Sequence, residues 1–283
     1  MAFLNGLLYN KTWNGRVDMK ELLEVTNLSY KDLFENISFQ VEPEKFITIS
    51  GANNCGKTTL IRILSGQIPT TQEIKLLGMY IEEYPQNLWK EITGTIIPQD
   101  NSTFLFKTVE EELNYTIHLF KKAEEEKKET YKEIIKKYKL TKYQKKNPNA
   151  VPEFIKIKIL LAEKLLGSPQ ILFLDDICGE LDIKEKKEMI NLLRTLQLET
   201  GISIVMTTSD LNIALESDYL LIIDEKKLLL EGEPLSIIEK DNVLNKIGLE
   251  LPFMVDLSVK LRDYNLVEKT ELDIDRLVDN IWK

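Results

Sequence analysis

Residues 51–59 read Gly51-Ala52-Asn53-Asn54-Cys55-Gly56-Lys57-Thr58-Thr59, and this stretch decides the fold. The pattern is G-x-x-x-x-G-K-T, a phosphate-binding loop. It arises by chance in about one chain in a hundred of this size, so its flanks decide whether it counts. Phe46-Ile-Thr-Ile-Ser50 before it is a short β-branched run that suits a buried strand. Leu60, Ile61, Ile63 and Leu64 after it have helical spacing, so the strand–loop–helix context is met. In that context the glycines let successive backbone N–H groups turn inward around a phosphate, at a helix N-terminus whose dipole favours anions. Lys57 would reach the β- and γ-phosphates, and Thr58 would give its hydroxyl to Mg²⁺. Gly51 to Thr59 are therefore candidate ATP-binding residues.

The chain has 283 residues, is 43% hydrophobic and carries a formal charge of −9. It is long enough for one large core or two modest ones, and its acidic balance opposes sequence-blind nucleic-acid binding. Two cysteines, Cys55 and Cys178, stand apart without metal-ligand spacing and suit a reducing compartment. Cys55 reads as a small filler within the loop, with a redox switch the competing reading. The only histidine, His118, falls in a helical pattern and reads as a surface or core-edge residue. No apolar run approaches the length of a membrane span. Met1 to Lys20 lacks the layout of a signal peptide and matches nothing that follows. It reads as a mobile extension or as a start site assigned too early.

Leu22–Leu28 and Ile37–Val41 read as a strand pair flanking the nucleotide, with Tyr30 at the end of the first. Residues 66–78 are turn-rich, and Ile96-Ile97 close another strand before Gln99. From Thr108 to Asn147 the pattern is helical and charged; Tyr131, Ile134, Ile135 and Tyr138 form one apolar stripe. The lysines and glutamates of 121–146 read as a solvated face rather than a partner surface. A helix over 152–166 precedes the strand Ile171–Leu174, which ends at Asp175-Asp176. A charged helix to about Leu198, strands Ile202–Met206 and Tyr219–Ile223, and a remainder that is helical from about Leu235 follow. Alternating buried strands and helices imply an α/β fold with a largely parallel sheet.

In order and spacing these segments resemble the ATPase subunit of ABC transporters, over residues 20 to 240. The resemblance implies a P-loop NTPase fold of ABC type: a mostly parallel sheet, a small antiparallel sheet and an inserted helical subdomain over about 101–166. Residues 241–283 would form a helical C-terminal segment. The run Pro98-Gln-Asp-Asn-Ser-Thr-Phe-Leu-Phe-Lys-Thr-Val-Glu-Glu-Glu-Leu113 and the tail around Leu251-Pro-Phe-Met-Val-Asp-Leu-Ser-Val-Lys-Leu261 resemble the energy-coupling-factor branch. That branch powers import of vitamins and of cobalt or nickel ions. The implied cofactors are ATP and Mg²⁺. The implied partners are a second ABC ATPase subunit and an integral membrane transporter subunit, with this chain on the cytoplasmic face of the membrane and no nucleic acid involved.

The resemblance also assigns roles. Tyr30 matches the aromatic that stacks on adenine, although a strand-end tyrosine in a small core is the competing reading. Gln99 matches the residue that touches Mg²⁺ and the attacking water. Asp175 matches the carboxylate that holds hydrated Mg²⁺, and Asp182 lies in the loop that meets the opposite subunit.

Three departures bear on catalysis. Asp176 stands where the family has its general-base glutamate, and losing a methylene retracts the carboxylate by about 1.5 Å. A misplacement of about 1 Å can cost on the order of a hundredfold in rate. Ser209 stands where the family has its switch histidine; a hydroxyl is shorter and neutral. Val151-Pro-Glu-Phe-Ile155 stands where the family has LSGGQ, whose N–H groups clasp ATP bound to the partner. Pro152 has no N–H to give, and Glu153 repels phosphate. A homodimer would carry every defect twice, so a heterodimer with weak or lost hydrolysis is expected. Competing readings are a non-hydrolysing regulatory or scaffold subunit, a soluble ABC ATPase acting on nucleic acid, and a small-molecule kinase.

Overall fold

A computed structural model describes residues 21–71, 73–85, 88–100, 103–121 and 123–282. The reading of Met1 to Lys20 falls outside these residues. In chain order the elements are β1 (Leu23–Tyr30), β2 (Phe34–Val41), β3 (Phe46–Ser50), α1 (Lys57–Leu64), β4 (Ile74–Leu76), β5 (Met79–Tyr80), α2 (Leu88–Ile92) and β6 (Thr93–Ile96). Then come α3 (Val109–Phe120), α4 (Glu124–Lys137), α5 (Glu153–Leu165), β7 (Ile171–Asp175), α6 (Ile183–Thr200), β8 (Ser203–Thr207) and α7 (Leu211–Ala214). The chain continues through β9 (Tyr219–Asp224), β10 (Lys227–Gly232), α8 (Pro234–Ile238), α9 (Asp241–Lys246), α10 (Phe253–Asp263) and α11 (Ile274–Ile281).

The main sheet has the order β10-β9-β3-β8-β7-β6, and a smaller antiparallel sheet has the order β2-β1-β4-β5. From β9 to β6 every neighbouring pair is parallel, with β10 added antiparallel to β9. Period-two alternation puts opposite faces of the main sheet in different cores. Ile47, Ile49, Ile171, Phe173 and Val205 pack with α1 and the small sheet. Phe46, Leu172, Leu174, Ile204 and Met206 pack with α3, α5 and α6. Leu220 and Ile222 of β9 pack instead with α7 through α10. This is the α/β architecture that the strand–helix alternation implied.

The helix ends follow from local chemistry. Thr108 and Glu111 form a capping box at the start of α3, and Asp182 and Glu185 form one at α6, which stops at Gly201 with φ 68°. Two local expectations need correcting. Residues 66–78 do not stay irregular: Ile74–Leu76 pairs with β1, and Leu77 and Gly78, both at positive φ, turn the chain into β5. Residues 108–147 are not continuously helical, because Lys121 ends α3 and residues 138–147 form turns. Lys227–Gly232 is an edge strand, which an uninterrupted leucine run and a Glu225-Lys226 turn without glycine or asparagine concealed.

Candidate functional site

The loop after β3 is shaped by contacts that only glycine tolerates at two positions. A Cβ on Gly51 would lie 2.2 Å from the Ile223 carbonyl oxygen. Gly56 has φ +100°, and a Cβ there would meet the Phe34 ring at 2.8 Å. Asn54 is also left-handed, at φ 67°. The loop thus lies pressed between β9 and the β1–β2 hairpin and delivers the chain into α1 at Lys57. Lys57 Nζ donates to the carbonyls of Gly51 (2.7 Å) and Ala52 (2.9 Å), which holds the ammonium over the loop.

Thr58 Oγ1 donates to Asp175 Oδ2 at 2.7 Å, and Thr207 Oγ1 donates to Asp175 Oδ1 at 2.7 Å. Parallel pairing of β7 with β8 puts Asp175 directly beside Thr207, so this hydroxyl follows from the register. Thr207 was not singled out from sequence; a threonine at the end of the strand next to the acidic one was the available signal. The Asp176 N–H donates to both Thr207 Oγ1 (3.0 Å) and Thr207 O (3.1 Å). Asp176 takes φ 43°, a conformation that aspartate tolerates better than most residues.

These groups open on one cleft of about 980 Å³. It is lined by Asn53, Asn54, Gly56, Lys57, Thr58 and Thr59 of the loop, by Gln99, and by Asp175 and Asp176. Sequence reasoning missed Leu33, Lys156 and Glu180, which line it too, and Glu153, read from sequence as facing a partner's ATP, lines this chain's own cleft. Tyr30 is not among the lining residues: it packs against the small-sheet core, with Lys31 Nζ 5.0 Å above its ring, and Leu33 from the same hairpin faces the cleft instead. Gly51, Ala52 and Cys55 are not among the lining residues. Ser209 is exposed and lies outside the lining, between buried Thr208 and Asp210, which caps α7 and binds Lys186 at 2.7 Å. His118 is exposed on α3, its ring nitrogen 2.6 Å from the Asn114 carbonyl.

Burial raises the Asp176 pKa to about 6; neighbouring Asp175 adds to this, and Lys57 and Lys186 oppose it. Burial also raises both thiols, Cys55 against the pull of Lys57, and Cys178 to about 12 with Asp176 contributing. Neither cysteine is a thiolate near neutral pH, which favours the filler reading of Cys55. The oxygen donors Thr58, Asp175 and Gln99 suit a hard cation such as Mg²⁺. Among the described residues no group of three or more His, Cys, Asp or Glu could hold a metal. Mg²⁺ commonly takes one or two protein ligands and completes its shell with phosphates and water.

Residues 151–155 lead into α5 through packed side chains. Phe154 and Ile155 are buried in the core under the main sheet, and Lys158 Nζ sits 3.9 Å above the Phe154 ring. Lys158 in turn donates to Glu188 Oε1 of α6 at 3.0 Å. The start of α5 is anchored by side-chain packing, with Pro152 at its cap and no side-chain cap hydrogen bond.

The ABC transporter family model matches residues 34–179. Among characterised relatives, the energy-coupling factor transporter ATP-binding protein EcfA of Pediococcus pentosaceus is 24% identical, over 91% of this chain and 95% of that protein. EcfA1 of Levilactobacillus brevis is 26% identical, over 89% of this chain and 92% of its own length. The fold is similar to that of cbiO1 from Clostridium perfringens, part of the ABC transporter complex cbiONQ. That comparison has a TM-score of 0.72 at 22% identity, covering 84% of this chain and 99% of that one. The phosphate loop, the strand-end acid and the inserted helices all lie within or beside the matched region, and the chain belongs to the ABC transporter family.

Proposed function

We propose that this chain is the ATP-binding subunit of an energy-coupling-factor-like membrane importer. In this reading it binds MgATP at residues 51–59 and transmits closure of an ATPase pair to a membrane subunit. The observation that carries the nucleotide reading is the Thr58–Asp175 hydrogen bond of 2.7 Å beside Lys57, which gathers the oxygen donors and the ammonium that MgATP needs. The importer reading is supported by the names of the relatives and by their nearly full-length coverage. No helix among the described residues is long and apolar enough to cross a membrane, so a peripheral place on the cytoplasmic face, held by a partner, suits the chain.

Mg²⁺ would lie against Thr58 and Asp175, with Gln99 reaching it or the attacking water, and would supply charge neutralisation between the phosphates. Asp176 would act on the water as a weak base from a retracted position. Residues 151–155 offer no clasp to a partner's ATP, so the complementary subunit is a different ATPase that carries the intact elements. Tagged chain expressed with its neighbours should bring down one membrane subunit and one second ATPase. Recovery of a homodimer with brisk, cooperative turnover abolished by Lys57→Ala would overturn both the partner and the weak-hydrolysis readings.

The second reading, a regulatory subunit that binds ATP without cleaving it, is favoured by Asp176 and Ser209 together. Turnover in the assembled complex decides between the two. Phosphate release that persists when the partner's own loop lysine is mutated assigns hydrolysis to this chain, and its absence assigns regulation.

A further inference from the structure

Between Tyr131 and Lys146 the sequence holds seven lysines against one glutamate, in a chain whose overall charge is −9. The structure sorts them. Lys137 pairs with Glu199 at 2.6 Å, Lys145 pairs with Glu110, and Lys146 lies 5.0 Å above the Tyr143 ring. Lys132, Lys136, Lys139 and Lys142 instead line a groove of about 680 Å³ between the C-terminal half of α4 and the chain that follows it. Tyr131, Ile135, Thr141 and Gln144 complete its lining, and no carboxylate is among the lining residues. Lys139 reaches out to Glu188 at 3.2 Å. Lys132, Lys136 and Lys142 have no carboxylate within salt-bridge distance among the described residues.

A lysine in the last turn of a helix complements the helix dipole, which accounts for Lys136 without invoking a ligand. It does not account for Lys132, a turn earlier, or for Lys142, beyond the helix. Ammonium groups gathered in one concavity repel one another, and an anion placed among them removes that cost. The groove is built with fixed polar groups: Tyr131 Oη donates to Gln144 Oε1 at 2.9 Å, and Gln144 Nε2 donates to the Thr141 carbonyl at 3.1 Å. Its volume is that of a small-molecule site, and lysine is a point-charge binder of phosphate.

We propose that this groove is a second anion site, separate from the phosphate loop, that takes a compact, multiply charged phosphate group of a soluble ligand. Lys132, Lys136 and Lys142 supply the charge, with Thr141 at the side. The site is connected to α5 through one carboxylate of α6: Glu188 Oε1 accepts from both Lys139 and Lys158. An anion that draws Lys139 inward acts on the same oxygen that anchors Lys158 and the start of α5.

The test uses the full chain carrying Lys57→Ala, so that the phosphate loop does not compete, and tripolyphosphate as the probe in calorimetry at low salt. One saturable site is expected. Combined Lys132→Gln, Lys136→Gln and Lys142→Gln should weaken it at least tenfold, with circular dichroism unchanged. The equal charge change Lys184→Gln, Lys187→Gln and Lys227→Gln should leave it within twofold. Absence of saturable binding overturns the proposal, as does equal loss in the two triple variants. Binding to phosphatidylglycerol vesicles without binding to tripolyphosphate also overturns it, because the surface would then be a membrane contact.

Discussion

Thr58 and Asp175, 117 residues apart in sequence, are joined by a hydrogen bond of 2.7 Å between the first turn of α1 and the end of β7. The second carboxylate oxygen of Asp175 accepts from Thr207, so the side chain is fixed in orientation although only 5% of its surface is exposed. With Asp175 in the proposed Mg²⁺ role, Mg²⁺ binding can be separated from nucleotide binding. In Asp175→Asn the amide keeps the shape but loses the charge that a divalent cation needs. Equilibrium titration with a fluorescent ATP analogue should show Mg²⁺-dependent affinity falling about tenfold or more, with metal-free binding nearly unchanged. Lys57→Ala should lower both. Equal loss with and without metal in Asp175→Asn would remove this residue from the Mg²⁺ role.

Asp176 sets the pH response. Burial and the adjacent Asp175 raise its pKa to about 6, and a base works only when ionised. Any kcat/KM that depends on Asp176, which reports the free chain, should therefore climb with pH on the acid side of neutrality. Asp176→Glu extends the carboxylate by about 1.5 Å and should raise turnover of the assembled complex by about tenfold. Single-turnover phosphate release across that pH range checks both expectations. A flat profile together with an inert Glu variant would assign the chain to regulation.

The site was legible in the sequence where backbone geometry alone dictates residue type. Gly51, Gly56, Lys57 and Thr58 form a contiguous pattern, and Asp175 ends a strand of wholly buried apolar residues. Contributions set by register were not legible. Thr207 becomes relevant only because β8 lies beside β7, and Glu153 and Lys156 reach the cleft through the packing of α5. The resemblance points to Tyr30, whereas the packing of Phe34 under Gly56 and of Leu33 at the rim follows from the hairpin register and had no signal in the sequence. Short elements stabilised by pairing, such as Ile74–Leu76 and Lys227–Gly232, carry too few residues for periodicity to identify them.

Glu163 of α5 makes stability depend on pH. Burial, with Glu112 of α3 adding repulsion, raises its pKa to about 7, and Thr116 Oγ1 donates to it at 3.2 Å. A raised carboxyl pKa means that the folded state holds a proton the unfolded state releases. Its stabilising contribution is therefore complete below about pH 4.5 and is lost as pH rises through about 7. Glu163→Gln should match the wild type near pH 5 and exceed it by about 1–3 kcal/mol at pH 8. Urea unfolding at the two pH values measures the difference. Equal effects at both would mean that the carboxyl is already ionised in the fold.

Residues 151–155 resist conversion to the family's LSGGQ for a reason that lies in packing. Pro152 is exposed and Glu153 faces the cleft, so Pro152→Ser with Glu153→Gly touches no core contact and should change stability by less than about 1 kcal/mol. Phe154 is different. It is 8% exposed, belongs to the core beneath the main sheet, and offers its ring to Lys158 at 3.9 Å. Phe154→Gly should cost about 3–5 kcal/mol through the cavity alone, and it also takes the aromatic face away from a buried ammonium. A full exchange should therefore unfold at markedly lower urea than the double change at positions 152 and 153, and Phe154→Leu should recover most of the difference. If Phe154→Gly were neutral, the aromatic ring would not be what anchors α5, and the missing clasp would be a change in chemistry alone.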